Sequence, residues 1–119
     1  MAYYMCQGGS GGSSGIEYLF EDADLIANKY IDRSNGQETT YNNWSCTDYI
    51  EVTPEEEIAY ATPSADNYNC YYTDQKVFIS NFSLSPTGYG HITIPATAKY
   101  MRLSNTTANM QKIRLWRES

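Results

Sequence analysis

From Ile16 onward the sequence is a succession of short strand-forming runs separated by turn residues. The runs are about 5 to 7 residues long and rich in Tyr, Ile, Val and Thr, and clusters of Asn, Asp, Gly and Pro divide them. The candidate strands are Ile16–Phe20, Leu25–Ile31, Thr47–Thr53, Glu57–Thr62, Tyr68–Thr73, Val77–Phe82, His91–Ile94, Lys99–Ser104 and Gln111–Trp116. Because these runs recur about every 8 to 12 residues and leave little room for helices, they predict an all-β jelly roll or β-sandwich.

Several candidate strands alternate apolar and polar residues. Apolar side chains occupy every second position in the segments 49–52, 100–103 and 112–116. Since successive side chains of a strand point to opposite faces, this alternation indicates strands with one face in the core and the other towards solvent or a partner.

A glycine and serine run, GGSGGSSG, separates a short N-terminal peptide from these strands. Such a composition is typical of a flexible coil. The sequence therefore predicts an arm over residues 1–15 and a β-sandwich domain over residues 16–119. The arm begins with the apolar peptide MAYYMCQ, whose Tyr3, Tyr4 and Met5 are candidate anchors in a groove of a partner protein. The alternative is that the arm is an expression tag.

The charge of the chain bears on its partners. The 119 residues have the length of one domain and a formal net charge of −6, which argues against nucleic acid and anionic membranes as main partners. Residues 16–74 contain thirteen acidic and two basic side chains, whereas residues 75–119 contain one acidic and six basic ones. If strands of the two halves interleave, we expect this asymmetry to become internal charge complementarity.

Cysteine and metal chemistry contribute little to the prediction. Cys6, Cys46 and Cys70 form neither an even disulfide set nor a CxxC motif, so buried thiols are expected, with a pair between Cys46 and Cys70 as the alternative. No cofactor is predicted. The acidic residues of segment 21–24 offer oxygen ligands for a structural calcium ion, although a solvated loop is the favoured interpretation. The chain starts without the basic and apolar regions of a secretion signal.

Enzymatic activity is not expected from this sequence. The only histidine, His91, has no GxSxG or HExxH motif beside it. The three consecutive acids of segment 55–57 cannot face one another across a cleft as a glycosidase pair does. We therefore interpret His91 as a strand residue and the acids as a solvated turn.

Four aromatic residues are the candidate carbohydrate-binding residues. Trp44 lies among asparagines whose amides suit sugar hydroxyls, although packing in the core is the favoured interpretation of this ring. Tyr71 belongs to a strand with tyrosine at neighbouring positions, so one face of that strand is expected to show tyrosine. Tyr89 lies between two glycines in a predicted loop, and Trp116 shares a strand face with two basic residues. Tyrosine and tryptophan combine an apolar ring with a polar group, which suits sugar-binding surfaces.

Four stretches of the domain resemble jelly-roll, galactose-binding-like modules of the carbohydrate-binding type. They are NKYID at 28–32, WSCTDYIEVTP at 44–54, YTDQKVFIS at 72–80 and IPATAKYMRLS at 94–104. Modules of this family occur in bacteriophage tail, fibre and baseplate proteins and beside glycan-degrading enzymes of gut bacteria. The resemblance extends over roughly residues 28–115, and most of the matching positions belong to the scaffold.

The resemblance implies a non-enzymatic protein of the bacteriophage virion, such as a capsid or tail decoration or a fibre module. Such a protein is made in the cytoplasm of the bacterial host, and its expected partners are other virion proteins, reached through the arm, and host or gut glycans. Self-association is also expected, because assemblies of this kind are symmetric. The alternative is an extracellular carbohydrate-binding module from a larger glycan-active enzyme.

Overall fold

The computed structural model describes residues 16–118. Within them, ten strands, a 3-10 turn and a short helix follow one another along the chain. They are the 3-10 turn Asp22–Asp24, β1 (Ile26–Ile31), β2 (Glu38–Cys46), β3 (Ile50–Glu51), β4 (Glu57–Thr62), β5 (Asn69–Tyr72), β6 (Phe78–Phe82), β7 (Gly88–Thr93), β8 (Tyr100–Arg102), β9 (Ser104–Thr106), α1 (Thr107–Met110) and β10 (Arg114–Trp116). The predicted all-β class is confirmed, and the arrangement is consistent with a β-sandwich. No helix within residues 16–118 has the length and apolar character needed to cross a membrane.

The described strands form three antiparallel sheets, with the strand orders β1-β2-β9, β3-β8-β5-β6 and β10-β4-β7. Several neighbours in these sheets are distant in the chain, since β2 pairs with β9 and β4 pairs with both β7 and β10. Only Leu103 separates β8 from β9, so the chain passes from one sheet to another within a single residue.

The main core lies between the sheets β3-β8-β5-β6 and β10-β4-β7. Ile58 of β4 and Leu115 of β10 belong to one buried cluster with Met101 of β8. Burying each such side chain stabilises the fold by about 1.5–3 kcal/mol. Tyr60 of β4 is also fully buried, and its hydroxyl donates a hydrogen bond to the carbonyl oxygen of Pro86 at 2.9 Å, which satisfies its polar atom.

A second, smaller core lies on the opposite face of β5. It contains Ile31 of β1, Cys46 of β2, and Cys70 and Tyr72 of β5. Both cysteines are buried free thiols, as expected. Because Tyr71 belongs to the main core while its two neighbours belong to the second one, all four residues of β5 are buried. This strand is therefore a middle layer with packing on both faces.

The structure departs most from the predicted strands at residues 16–20 and 38–46, and it shortens the predicted strand Thr47–Thr53 to Ile50–Glu51. The prediction of a strand at Ile16–Phe20 is wrong: this segment makes a single bridge, between Tyr18 and Trp116, and Phe20 packs into the main core. Conversely, the nine-residue strand β2 was not predicted, because its sequence ETTYNNWSC is mostly polar. Pairing with β1 along one side and with β9 along the other holds these polar residues in a strand.

The expected charge complementarity between the two halves of the chain is present. Among residues 16–118, the three ion pairs made by arginine each join a basic side chain of the second half to an acidic side chain of the first. They are Arg102–Glu38 at 2.6 Å, Arg114–Asp22 at 3.4 Å and Arg117–Glu56 at 2.7 Å. The uneven distribution of charge along the sequence thus becomes local pairing in the fold.

Candidate functional site

Four aromatic side chains line a cleft of about 260 Å³ beside the sheet β1-β2-β9. Tyr30 lies in β1, Tyr41 and Trp44 lie in β2, and Tyr68 directly precedes β5. The rings meet edge to face with centroids 5.1 to 6.2 Å apart, an arrangement worth about 0.5–1.5 kcal/mol for each pair. The side chain of Tyr41 is 57% exposed, whereas the other three are half-buried. We refer to these four residues as the aromatic cleft.

An arch in the backbone of β2 presents two of these rings. The register between β1 and β2 shifts between Ala27 and Lys29, so that Asn28 alone lies opposite residues 41–44. Asn28 and Asn43 adopt left-handed φ angles of 61° and 68°, which asparagine tolerates better than most residues. The amide of Asn43 also donates to the side-chain oxygen of Asn28 at 3.4 Å. The asparagines beside the rings therefore shape the backbone that exposes them.

Polar groups surround the rings. The guanidinium of Arg33 lies 5.4 Å from the ring centroid of Tyr68 and donates to the side-chain oxygen of Asn67 at 3.0 Å. Asn42, at the top of the arch, is exposed. A concave aromatic surface with a few polar groups at its rim is the usual composition of a small-molecule site. It offers faces for the apolar side of a sugar and donors for its hydroxyls.

A second aromatic surface lies on the sheet β10-β4-β7. Tyr89 of β7 is 56% exposed, and its ring centroid lies 5.9 Å from that of Trp116 in β10. The strand between them, β4, contributes the small residues Ala59 and Ala61 opposite these positions, which leaves room for the two rings to meet. Tyr18 contacts Trp116 edge to face at 6.1 Å. The prediction that Tyr89 lies in a loop is therefore wrong, because this residue belongs to the strand β7.

The carboxylate of Glu118 forms hydrogen bonds with two side chains at the edge of this second surface. Glu118 accepts a hydrogen bond from the hydroxyl of Tyr89 at 2.7 Å, and its other oxygen lies 2.7 Å from Nε2 of His91. These hydrogen bonds, that with Tyr89 first, hold the pKa of Glu118 below its ordinary value. The same bond raises the pKa of Tyr89. The hydroxyl of Tyr89 is therefore already engaged within the protein.

The structure corrects the expectation for Tyr71. Its side chain is only 5% exposed and stacks on Phe82 with ring centroids 4.1 Å apart. Burial raises the pKa of its hydroxyl. The prediction that one face of this strand shows tyrosine to solvent is wrong, because β5 has a core on each face. Tyr71 therefore belongs to the scaffold and does not line a surface.

The acidic segments weighed as metal or catalytic sites make local contacts. In segment 21–24, the backbone amide of Glu21 donates to the carboxylate of Asp24 at 2.8 Å, and this pair caps the 3-10 turn. At the turn of residues 55–57, Glu56 accepts hydrogen bonds from the side chain of Arg117 and from the amide of Thr53. Within residues 16–118 no three His, Cys, Asp or Glu side chains are grouped as metal ligands.

Sequence reasoning found Trp44 but missed the three rings around it, Tyr30, Tyr41 and Tyr68. Tyr30 lies within the correctly predicted strand of residues 25–31, and Tyr68 lies at the start of the predicted strand of residues 68–73, yet nothing local brings them together. The candidate anchors Tyr3, Tyr4 and Met5 lie outside the described residues. No protein-family model, curated protein or solved structure matches this chain.

Proposed function

We propose that this chain is a non-enzymatic binding module that holds a glycan in the aromatic cleft. The observation that supports this function is the cleft itself: Tyr30, Tyr41, Trp44 and Tyr68 converge from three separate segments around one concavity. Aromatic rings offer apolar faces to the C–H groups of a sugar at a low cost in conformational entropy, and polar groups at the rim fix its orientation.

The cleft is favoured over the Tyr89–Trp116 surface for two reasons. The cleft is concave, and concave sites bury most of a bound ligand. In addition, the hydroxyl of Tyr89 donates a hydrogen bond to Glu118, whereas the side chain of Tyr41 is 57% exposed and its hydroxyl has no hydrogen-bond partner within residues 16–118. The Tyr89–Trp116 surface remains the second candidate for the same ligand class.

A matched pair of variants tests which surface binds. Tyr41 and Tyr89 are almost equally exposed, at 57% and 56%, so their replacement by alanine perturbs the fold to a similar, small extent. A glycan array with the wild-type protein would first identify a ligand, and titration calorimetry would then measure its affinity. We expect Tyr41→Ala to weaken binding by at least about tenfold and Tyr89→Ala to leave it unchanged.

Three outcomes of this experiment count against the cleft. The first is an array without any bound glycan, and the second is an equal loss for both variants. The third is a loss confined to Tyr89→Ala, which would assign the ligand to the Tyr89–Trp116 surface. Circular dichroism of each variant confirms that the fold is retained.

We further propose that the module is an accessory or structural protein of a bacteriophage virion, anchored by Tyr3, Tyr4 and Met5. The sequence resemblance over roughly residues 28–115 supports this context. Removal of residues 1–15 provides the test, because the arm and the cleft are separate parts of the chain. We expect the truncated protein to lose co-sedimentation with virion proteins and to keep its glycan affinity. Unchanged co-sedimentation would instead favour the module of a larger secreted enzyme.

A further inference from the structure

A second cavity, of about 410 Å³, lies against the turn that joins β1 and β2, whose residues Asn35, Gly36 and Gln37 line it. It shares no lining residue with the aromatic cleft. Its polar lining consists of Arg102, Lys76 and Glu38, together with the amide side chains of Asn35 and Gln37. We refer to it as the Arg102 pocket.

Arg102 is the buried charge of this pocket. The residue is only 4% exposed although it lies in a strand whose alternation predicts a solvent-facing position. Its Nε donates to the carbonyl oxygen of Thr47 at 2.9 Å, and its Nη2 donates to the carboxylate of Glu38 at 2.6 Å. Within residues 16–118 the remaining nitrogen, Nη1, has no hydrogen-bond acceptor. A buried N–H group without an acceptor costs free energy, so a bound ligand that accepted a hydrogen bond from Nη1 of Arg102 would be stabilised.

Lys76 lines the same pocket and adds a second cation to it. The turn between β5 and β6 sets its position, because the amide of Lys76 donates to the carbonyl oxygen of Thr73 at 2.9 Å and its φ is 64°. Its ammonium lies 4.8 Å from the ring centroid of Tyr49, and the guanidinium of Arg102 lies 4.8 Å from the same centroid. Within residues 16–118 Lys76 makes no ion pair with a carboxylate.

The charges of the pocket leave room for one anion. Two cations, Arg102 and Lys76, stand against the single carboxylate of Glu38, in a chain whose net charge is −6. Since Glu38 already occupies Nη2, a monoanion would balance the excess charge, and a doubly charged phosphate would exceed it. The side-chain oxygen of Asn35 accepts the amide of Gln37 at 2.9 Å, whereas the Asn35 amide nitrogen has no partner within residues 16–118. That nitrogen can donate to a hydroxyl.

We propose that the Arg102 pocket binds the carboxylate of a small polyhydroxylated acid of the uronic-acid class. The carboxylate would accept hydrogen bonds from Nη1 of Arg102 and from the ammonium of Lys76. The amide of Asn35 would donate to hydroxyls of the ligand. This inference does not depend on the proposed function, because the pocket and the aromatic cleft have separate linings.

Glucuronate is the probe, with glucose as its uncharged match. The full chain, labelled with ¹⁵N, would be titrated with each sugar by NMR. We expect glucuronate to shift the amide signals around Tyr49 and Lys76 and to bind at least about tenfold more tightly than glucose. Equal shifts with both sugars, or no saturable shift with glucuronate, would overturn the proposal.

Variants locate the site. Lys76→Gln removes the exposed cation without disturbing the buried pair, and Lys112→Gln, also an exposed lysine, is its control. We expect Lys76→Gln to weaken glucuronate binding at least about fivefold and Lys112→Gln to leave it unchanged. Equal effects would indicate attraction by overall charge and would refute a specific site. Tyr41→Ala distinguishes this proposal from the glycan cleft, because it should leave the shifts around Lys76 unaltered.

Discussion

A single added methyl group at Gly36 tests how the turn between β1 and β2 is held. Gly36 has a φ of 73°, and a Cβ built there would lie 2.7 Å from Cδ1 of Phe78 and 2.9 Å from Cε2 of Tyr72. The left-handed backbone costs an L-residue about 1–2 kcal/mol, and forcing a methyl into packed rings costs about 1–3 kcal/mol. Alanine recovers about 0.4–1 kcal/mol by restricting the unfolded chain. We therefore expect Gly36→Ala to lower the free energy of unfolding by about 1–4.5 kcal/mol.

Two further glycines separate these contributions. Gly88 has a φ of 99° with open space around its Cβ position, so Gly88→Ala tests the backbone cost alone. Gly90 lies outside the left-handed region, but a Cβ there would lie 2.5 Å from the hydroxyl of Tyr60, so Gly90→Ala tests the packing cost alone. Urea denaturation followed by circular dichroism measures all three variants. A Gly36→Ala protein as stable as Gly88→Ala would refute the reasoning, since it would show that the rings move aside freely.

Two predictions concern titratable groups. Burial raises the pKa of Cys46 to about 11 and that of Cys70 to about 12, so we expect both thiols to resist iodoacetamide at pH 8 until urea unfolds the chain. Peptide mass spectrometry measures this, and rapid labelling in the folded state would contradict it. The hydrogen bonds with Tyr89 and His91 depress the pKa of Glu118, so Tyr89→Phe should raise that pKa in an NMR titration. Because folding lowers the pKa of Glu118, its hydrogen bonds contribute stability fully above the unfolded-state pKa, and this contribution is lost as the pH falls through the folded-state pKa. An unaltered pKa of Glu118 in the variant would contradict this assignment.

The parts of the fold that sequence could predict are those in which local pattern and burial agree. The strand at residues 57–62 was predicted with its boundaries, and Met101, Leu103 and Leu115 are buried as their alternation indicates. The same logic failed at Arg102, because its polar position faces a second core that only the topology creates. Hydrophobic alternation assumes one buried face, and it has no signal for a layer packed on both faces.

The candidate sites depend on contacts between distant segments, which the sequence does not reveal. Trp44 was identified because a large ring in a polar stretch is unusual. Tyr68 joins it only because the chain returns to the β1–β2 hairpin more than twenty residues later. Tyr68 and Tyr71 are only three residues apart, yet Tyr71 is buried and Tyr68 is half-buried. Which tyrosine lines a surface is decided by the neighbouring sheet and not by the residues beside it.

The strand β5, which is packed on both faces, also fixes the spacing between one residue of the aromatic cleft and one residue of the Arg102 pocket. Tyr68, which lines the aromatic cleft, directly precedes this strand, and Tyr72, which lines the Arg102 pocket, is its last residue. Four residues of extended chain span about 13 Å. Because both faces of β5 are packed against a core, the distance between these two residues is held nearly constant. An oligosaccharide that occupied both proposed sites would therefore have to span two linings whose backbones β5 holds at this spacing.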